Sequence, residues 1–174
     1  LGGTRIIGKD ELTAMNVGIR ERTFIFIAPT PKARPTDKTV LESVMSKEYA
    51  LPLLDEKEQV RQVVYAGRII NRDFVLVDRI RKLVFSDEVY KDKPFGTVTI
   101  FQDDVRISTN VLNEEGRRAV GTRVSDEVYK AVVEEGQRWM DRAFVVTHWY
   151  KTAYEPIRNI NGEIIGILYV GILE

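Results

Sequence analysis

The residues 142–157 form one β-rich run that carries most of the side chains able to do chemistry. Alternation along a strand places every second side chain on the same face. The face that this alternation predicts is unusually polar: Arg142, Phe144, His148, Tyr150 and Tyr154. A guanidinium, an imidazole and two phenols on an otherwise apolar strand suit a pocket for a small polar ligand. A solvated sheet face with the same side chains is the alternative.

The segment that follows predicts how this strand is held. Asn161-Gly162 is a strong turn signal, and an apolar run over 164–171 comes directly after it. We therefore expect a β-hairpin made of 142–157 and 164–171.

Periodicity, caps and turn residues predict an α+β fold. The predicted helices cover 9–22, 71–85 capped by Asn71, and 125–136 capped by Ser125 and closed by Gly136. The predicted strands before the final hairpin cover 23–28, 44–54, 59–70, 95–102 and 105–111. The proline-rich stretch 29–37 is expected to be an extended loop.

An internal echo predicts a repeated unit. Pro52 is followed at +13 by Tyr65-Ala-Gly, and Pro156 is followed at +13 by Tyr169-Val-Gly. This spacing predicts two copies of one hairpin about a hundred residues apart. The interpretation is one complete antiparallel module over 71–174, preceded over 1–70 by the back half of a sister module.

Composition limits the class of protein. With 174 residues, 44% hydrophobic and 30% charged, the chain is an ordinary globular protein. Its 26 basic and 26 acidic residues cancel to a formal net charge of +0, which argues against a nucleic-acid partner. Zero cysteines exclude disulfides, cysteine-ligated zinc and thiol catalysis.

The ends of the sequence predict an excised fragment. It begins without methionine, and it stops just after a predicted strand. The longest apolar run, 164–173, is far shorter than the roughly 20 residues of a membrane helix. We expect any membrane segments to lie outside the sequence in hand.

No catalytic, metal or cofactor site is predicted. The chain has no Gly-x-Ser-x-Gly elbow and no P-loop, and a triad of Ser108, His148 and an aspartate has no supporting spacing. A single histidine makes a histidine-based metal site improbable, and Asp103-Asp104 suits a hairpin turn better than a cation site. An enzyme is therefore not expected, and no cofactor is predicted.

Several segments resemble the Cache sensor family. They are Phe-Gly-Thr-Val-Thr-Ile-Phe-Gln at 95–102, Arg-Ile-Ser-Thr-Asn-Val at 106–111, Arg-Ala-Val-Gly-Thr-Arg-Val-Ser at 118–125, Ala-Tyr-Glu-Pro-Ile at 153–157, and Ile-Leu-Tyr-Val-Gly at 167–171. They look like the membrane-proximal module of a double-Cache domain from bacterial sensor histidine kinases or methyl-accepting chemoreceptors. The likeness is weaker over 1–63, where 27–33, together with 65–71, looks like the end of the distal module.

This resemblance implies a PAS-like fold, with a central antiparallel sheet flanked by helices. It also implies an extracytoplasmic (periplasmic) location as part of an inner-membrane receptor, and a possible homodimer. The sequence departs from the family pattern because the long leading helix and first strands of the distal module are absent from it.

The resemblance places a ligand pocket on one sheet face of the complete module. The candidates for lining this pocket are Arg106, Ser108, Asn110, Arg123, Trp139, Arg142, Phe144, His148, Tyr150 and Tyr154. Guanidiniums beside tyrosine hydroxyls suit a carboxylate, so the expected ligand is a small organic anion. Structural roles are the alternative: arginines paired with Asp103, Asp104 or Glu127, a tryptophan packed in the core, and a histidine hydrogen-bonded within its strand.

Two functions from different classes follow. The first is a ligand-sensing domain that passes its signal to a following membrane helix. The second is a PAS-like interaction, dimerisation or spacer module whose pocket is filled by its own side chains.

Overall fold

The computed structural model describes residues 2–15, 23–86, 88–90, 93–146 and 148–174, with the backbone alone at positions 90, 93, 94 and 144. This part of the chain contains three helices and twelve strands. In order they are β1 Gly2–Ile7, α1 Lys9–Met15, β2 Ile25–Phe26, β3 Val40–Leu41, β4 Val44–Leu54, β5 Val60–Ile69, α2 Phe74–Phe85, β6 Val89–Tyr90, β7 Lys93–Pro94, β8 Thr97–Gln102, β9 Val105–Thr109, α3 Asp126–Tyr129 continuing as a π-helical turn Lys130–Glu134, β10 Trp139–Val145, β11 His148–Arg158 and β12 Ile164–Leu173.

A five-stranded sheet in the order β10-β11-β12-β8-β9 forms the centre of the C-terminal part, and every neighbouring pair is antiparallel. A second sheet has the order β1-β4-β5 and is also antiparallel. The prediction of an α+β fold with a central antiparallel sheet and flanking helices is confirmed. No helix in the described ranges has the length and apolar character needed to cross a membrane.

The five-stranded sheet packs against other elements on both of its faces. Directly paired residues share a face, so one row runs across all five strands: Trp139, Tyr154, Tyr169, Thr99 and Thr109. We call this side the inner face. Phe101 and Ile167 lie on it too, and they pack against Val124, Val128 and Val132 from the loop 118–125 and from α3.

The opposite side of this sheet is the outer face. Val98 and Ile100 pack there against Val77 of α2. The same core includes residues of the N-terminal part, namely Ile25, Met45 and Ile70. The two sheets therefore share one apolar core, which lies against the outer face of the five-stranded sheet.

The hairpins β4–β5 and β11–β12 have the same register. Adding 104 to each number of the first hairpin gives its counterpart: Pro52 pairs with Val63, and Pro156 pairs with Ile167. The register shift also recurs, after Leu53 in the first hairpin and after Ile157 in the second. The echo in the sequence thus corresponds to two hairpins of the same geometry, while the division at residue 70 stays a prediction.

The turns of the two hairpins are built in the same way. Asp55 and Asn159 each accept two backbone N–H bonds on the side-chain oxygen, from the second and fourth residues after them. The fourth turn residue has a positive φ in both, 59° at Glu58 and 84° at Gly162. Each turn is therefore closed by a residue in the left-handed region, a position that favours glycine.

The largest difference from the sequence prediction concerns 142–157. The single predicted strand is wrong, because the chain reverses after Val145 and its two halves, β10 and β11, pair antiparallel. Val146 has φ 58°, the left-handed region that a β-branched residue rarely adopts. A chain reversal at a valine has no signal in the sequence. The alternation of side chains therefore predicted one continuous strand over 142–157.

Helix and strand ends differ in smaller ways. The predicted helix 9–22 is helical at Lys9–Met15, and 16–22 lie outside the described residues. The predicted strand 23–28 is reduced to Ile25–Phe26, and β9 ends at Thr109 instead of at 111. The polar connection 86–94 contains the short strands β6 and β7.

The cap predicted for α2 is also wrong. Asp73, not Asn71, accepts a hydrogen bond from the Leu76 amide at the start of that helix. The buried Asn71 side-chain amide instead bonds to the backbone at the start of β4. Its Oδ1 accepts from the Met45 N–H, and its Nδ2 donates to the Ser43 carbonyl.

We predict opposite effects for two substitutions at equivalent turn positions. Gly162→Ala should lower the free energy of unfolding by about 1–2 kcal/mol, because the added Cβ disfavours a left-handed backbone and contacts nothing nearby. Glu58→Gly should not lower it, because it relieves the same strain. Urea denaturation of both variants measures the difference. Equal destabilisation would contradict the left-handed backbone at positions 58 and 162.

Candidate functional site

A β-bulge aims Arg106 at the inner face. The register of β8 and β9 shifts between Ile100 and Phe101, so Ile100 pairs with Ser108 whereas Phe101 pairs with Arg106. Adjacent residues of β8 point to opposite faces, and so must their partners. The prediction that Arg106 and Ser108 share a face is therefore wrong.

The guanidinium of Arg106 is buried among hydroxyl groups. The residue is 4% exposed. Nε donates to Oγ1 of Thr122 at 2.9 Å, and Nη1 donates to Oγ1 of Thr99 at 2.6 Å, with Thr109 at 3.5 Å. The guanidinium carbon lies 4.8 Å from the centre of the Phe101 ring. These bonds use Nε and Nη1 only.

No carboxylate among the described residues pairs with this charge. Burial lowers the pKa of the Arg106 guanidinium, because removing the cation from water is unfavourable without an opposite charge. The threonine hydroxyls offer dipoles but no compensating charge. Nη2 has no acceptor within the described ranges, so the site retains hydrogen-bonding capacity for an anion.

Three tyrosines lie beside Arg106 on the inner face. The rings of Tyr154 and Tyr169 are 4.9 Å apart, and the Tyr169 hydroxyl is 2.9 Å from Oγ1 of Thr97. Burial raises the pKa of Tyr154 to about 12 and raises that of Tyr169 further, while the nearby Arg106 charge opposes both shifts. Tyr150 is half-buried, and its pKa is raised for the same reason. All three phenols are therefore neutral at physiological pH.

Trp139 supplies a second unused donor. Its indole Nε1 is buried and has no hydrogen-bond partner among the residues described. It occupies the inner-face row next to Tyr154. It also lines a groove of about 520 Å³ between α3 and β10, together with Ala131 and Asp141. An unpaired buried N–H is uncommon in folded proteins and needs an acceptor.

Two other predicted residues have structural roles. Ser108 donates to the backbone carbonyl of Asp73 at 2.8 Å, which connects β9 to the start of α2. The Asn110 amide accepts from the Val98 N–H at 2.7 Å. These contacts support the sheet and place neither side chain beside Arg106.

Arg123 takes the ion-pair role that the sequence left open. Its Nε donates to Oδ2 of Asp104 at 2.9 Å, its Nη2 contacts the same oxygen, and both residues are buried. Its Nη1 donates to the backbone carbonyl of Arg34 at 2.6 Å. A guanidinium used in this way is not available to a ligand.

Arg142 lies on the outer face, opposite to the tyrosines. It pairs across the strands with Lys151, whereas Tyr150 and Tyr154 pair with Ala143 and Trp139. The prediction that Arg142 shares a face with the tyrosines is wrong, because the chain reversal changes the phase of β10.

The remaining predicted residues are also placed by this reversal. The exposed Arg142 guanidinium donates to the Glu174 carboxylate at 2.5–2.9 Å. His148 is exposed at the start of β11, and the Phe144 side chain lies outside the described residues.

Three site residues were not predicted from the sequence. Thr99 alternates with Phe101 on β8, and Tyr169 belongs to the repeated motif, so both had a usable signal. Thr122 lies in a loop whose position depends on tertiary contacts, and its sequence gave no indication. Within the described ranges, no group of three or more histidine, aspartate or glutamate residues could hold a metal ion.

Comparison with known proteins identifies the relationship. The family model described as single Cache domain 3 matches residues 68–174. The crystal structure of the periplasmic domain of Vibrio cholerae LuxQ aligns with 99% of this chain and 71% of that chain, at 12% sequence identity and a TM-score of 0.47. A search of curated proteins gave no match.

We predict that the two buried arginines differ in their effect on stability. Arg106→Met should leave the free energy of unfolding unchanged or higher, because an unpaired buried charge is lost and each threonine hydroxyl keeps another partner. Arg123→Met should lower it by about 3–5 kcal/mol, because Asp104 keeps only its longer contact to Arg34. Urea denaturation compares the two, and an equal loss would show that Arg106 is structural.

Proposed function

Because the chain belongs to the single Cache domain 3 family, we propose that it is the extracytoplasmic ligand-sensing domain of a bacterial transmembrane receptor and that its ligand is a small carboxylate. Cache domains are non-catalytic sensor modules, which agrees with the expectation that the chain is not an enzyme. The receptor's output, either a histidine kinase or a chemoreceptor, belongs to parts of the protein outside this chain.

The unpaired charge of Arg106 is the single observation that carries the choice of ligand. A carboxylate entering the inner face would neutralise a buried cation and accept hydrogen bonds from Nη2. The surrounding threonine and tyrosine hydroxyls would complete its coordination. Removal of both charges from water is then compensated by a direct ion pair, as in other buried ion pairs that are fully hydrogen-bonded.

Trp139 supports the same choice from the other end of the row. Its buried indole N–H is a donor without an acceptor in the described part of the chain. Two separate donor sites on one face favour a ligand that presents acceptor oxygens to both. A dicarboxylic acid meets this requirement, because it carries acceptor oxygens at both of its ends, and an amine alone does not.

The equivalent face of the first sheet gives a contrast. By the 104-residue offset, Tyr65 stands where Tyr169 does, and Glu48 stands where Thr152 does. Arg5 on the adjacent strand donates to both Glu48 and Glu11. Its charge is therefore matched internally, so we place the ligand on the second sheet and interpret 1–70 as part of a distal module.

One observation favours the alternative, a PAS-like interaction, dimerisation or spacer module. Two grooves in the described part of the chain are lined in part by Trp139 and by Tyr154, but neither reaches Arg106. A site filled by its own side chains needs no ligand. The two functions differ in whether any small anion binds at Arg106.

In the proposed sensor, β12 carries the signal. This strand contributes Tyr169 to the inner face and ends beside Glu174, whose backbone N–H donates to the Trp149 carbonyl. A ligand that favours one arrangement of β12 over another would shift the segment that follows it. The homodimer expected from the resemblance stays a prediction.

We predict that binding depends on Arg106 and not on Arg142. Small mono- and dicarboxylates should raise the melting temperature of the chain. Arg106→Met should weaken binding of the best acid at least about 100-fold in calorimetry, because two or more charge-assisted hydrogen bonds are lost. Arg142→Ala, which alters an exposed outer-face residue, should bind normally. If no acid stabilises the chain, the interaction or spacer function replaces this proposal.

We predict a smaller effect at Trp139. Trp139→Phe removes the unpaired N–H while keeping an aromatic ring, and should weaken binding of the same acid about 10-fold. Trp149→Phe is the matched control, since Trp149 is exposed on the outer face. Equal affinities for the two variants would remove Trp139 from the site.

A further inference from the structure

The inner-face site is closed by two segments that follow β9. The loop 118–125 and the helical segment 126–134, together called the cover, lie over the inner face. Thr122 of the cover accepts the Nε bond of Arg106, and Val124, Val128 and Val132 pack onto the sheet. If the proposed function is correct, a ligand can reach Arg106 only when the cover moves.

A segment from the N-terminal part lies along the outside of the cover. We call residues 28–34 the strap. Alternate strap residues bond to the cover: the Ala28 N–H donates to the Gly121 carbonyl at 2.9 Å, and the Thr30 hydroxyl accepts from the Arg123 N–H at 3.0 Å. The Lys32 carbonyl then accepts from the Asp126 N–H at 2.8 Å.

Glycine at position 121 permits this close approach. Its φ is +91°, and a Cβ there would lie 2.1 Å from the carbonyl oxygen of Phe26, the residue two before the strap. A side chain at 121 would push the start of the strap away. The fit between strap and cover is therefore built into the backbone of both segments.

Arg34 fastens the far end of the strap. Its Nη2 donates to Asp103 at 2.7 Å and its Nε to Asp104 at 3.1 Å, while its guanidinium lies 3.8 Å from the centre of the Tyr129 ring in the cover. The Arg34 carbonyl accepts from Nη1 of Arg123. One arginine thus joins the strap both to the β8–β9 turn and to the cover.

The residues held by the strap are neighbours of the one that contacts Arg106. Gly121 and Arg123 bond to the strap, and Thr122 between them bonds to the guanidinium. We propose that the strap is a latch that keeps the cover closed over Arg106, so that its release opens the site. Both ends of the strap are anchored in the N-terminal part, where Ile27 donates to the Thr39 carbonyl and β2 pairs with β3.

This latch makes the N-terminal part a regulator of the site. Anything that shifts the strap changes the fraction of molecules in which the cover is open. By thermodynamic reciprocity, a ligand that holds the cover closed also stabilises the strap contacts.

Hydrogen exchange of the ligand-free chain tests the latch. In Arg34→Ala, the backbone amides of residues 122–134 should exchange at least about 10-fold faster. Opening of the cover costs less free energy in this variant, because the Arg34 contacts no longer have to be broken. Amides of α2 should keep their rates. Arg117→Ala, which removes an exposed arginine paired with Glu115 in the same region, is the matched control. Unchanged exchange over 122–134 would overturn the proposal.

A milder variant covers the case in which Arg34→Ala does not fold. Thr30→Val removes the hydroxyl that accepts from Arg123 and donates to the Ala28 carbonyl within the strap, and should accelerate the same amides to a smaller extent. Wild-type rates in Thr30→Val would then count against the latch. Because no ligand is present, failure of the carboxylate proposal in calorimetry and failure of the latch in exchange are separate results.

Discussion

The burial of an arginine without a carboxylate is the constraint on which the C-terminal part of this protein depends. Burying a lone charge is unfavourable, so the chain surrounds Arg106 with hydroxyl oxygens from β8, β9 and the cover. The β-bulge between β8 and β9, at Ile100 and Phe101, is what directs the Arg106 side chain to the inner face. The cover, in turn, is positioned by the residues on either side of Thr122.

Arg106 on β9 and Arg123 in the cover show how context decides the role of a charge. Arg123 meets a buried carboxylate, and its charge is used to fasten the loop to the β8–β9 turn. Arg106 meets hydroxyls and an aromatic ring but no carboxylate, and its charge remains available. Burial alone does not distinguish a structural arginine from a binding arginine, whereas the presence of a counter-ion does.

The hairpin repeat shows that backbone geometry is retained where side-chain chemistry is not. The two hairpins share register, bulge and turn bonds, yet the face that holds Tyr65 balances its arginine with carboxylates and the face that holds Tyr169 does not. In hairpins the register is fixed by the turn, and both copies keep the same turn bonds. The polar residues on the face are free to differ, so one scaffold can carry a matched cluster and an unmatched one.

The sequence by itself determined the elements whose signals are local. The hairpin turns, the strands β4, β5, β8 and β12, the start of α3 and the Cache resemblance all follow from residues close together in the chain. Sequence also identified Arg106, Trp139, Tyr150 and Tyr154 as candidates, since their types suit an anion site. It could not assign faces, because alternation fails wherever an unsignalled reversal or bulge shifts the phase. Val146 moved Arg142 to the outer face, and the β8–β9 bulge separated Ser108 from Arg106. Only tertiary structure decided which arginine met Asp104 and which met none, because a counter-ion 19 residues away in the chain becomes a neighbour only after folding.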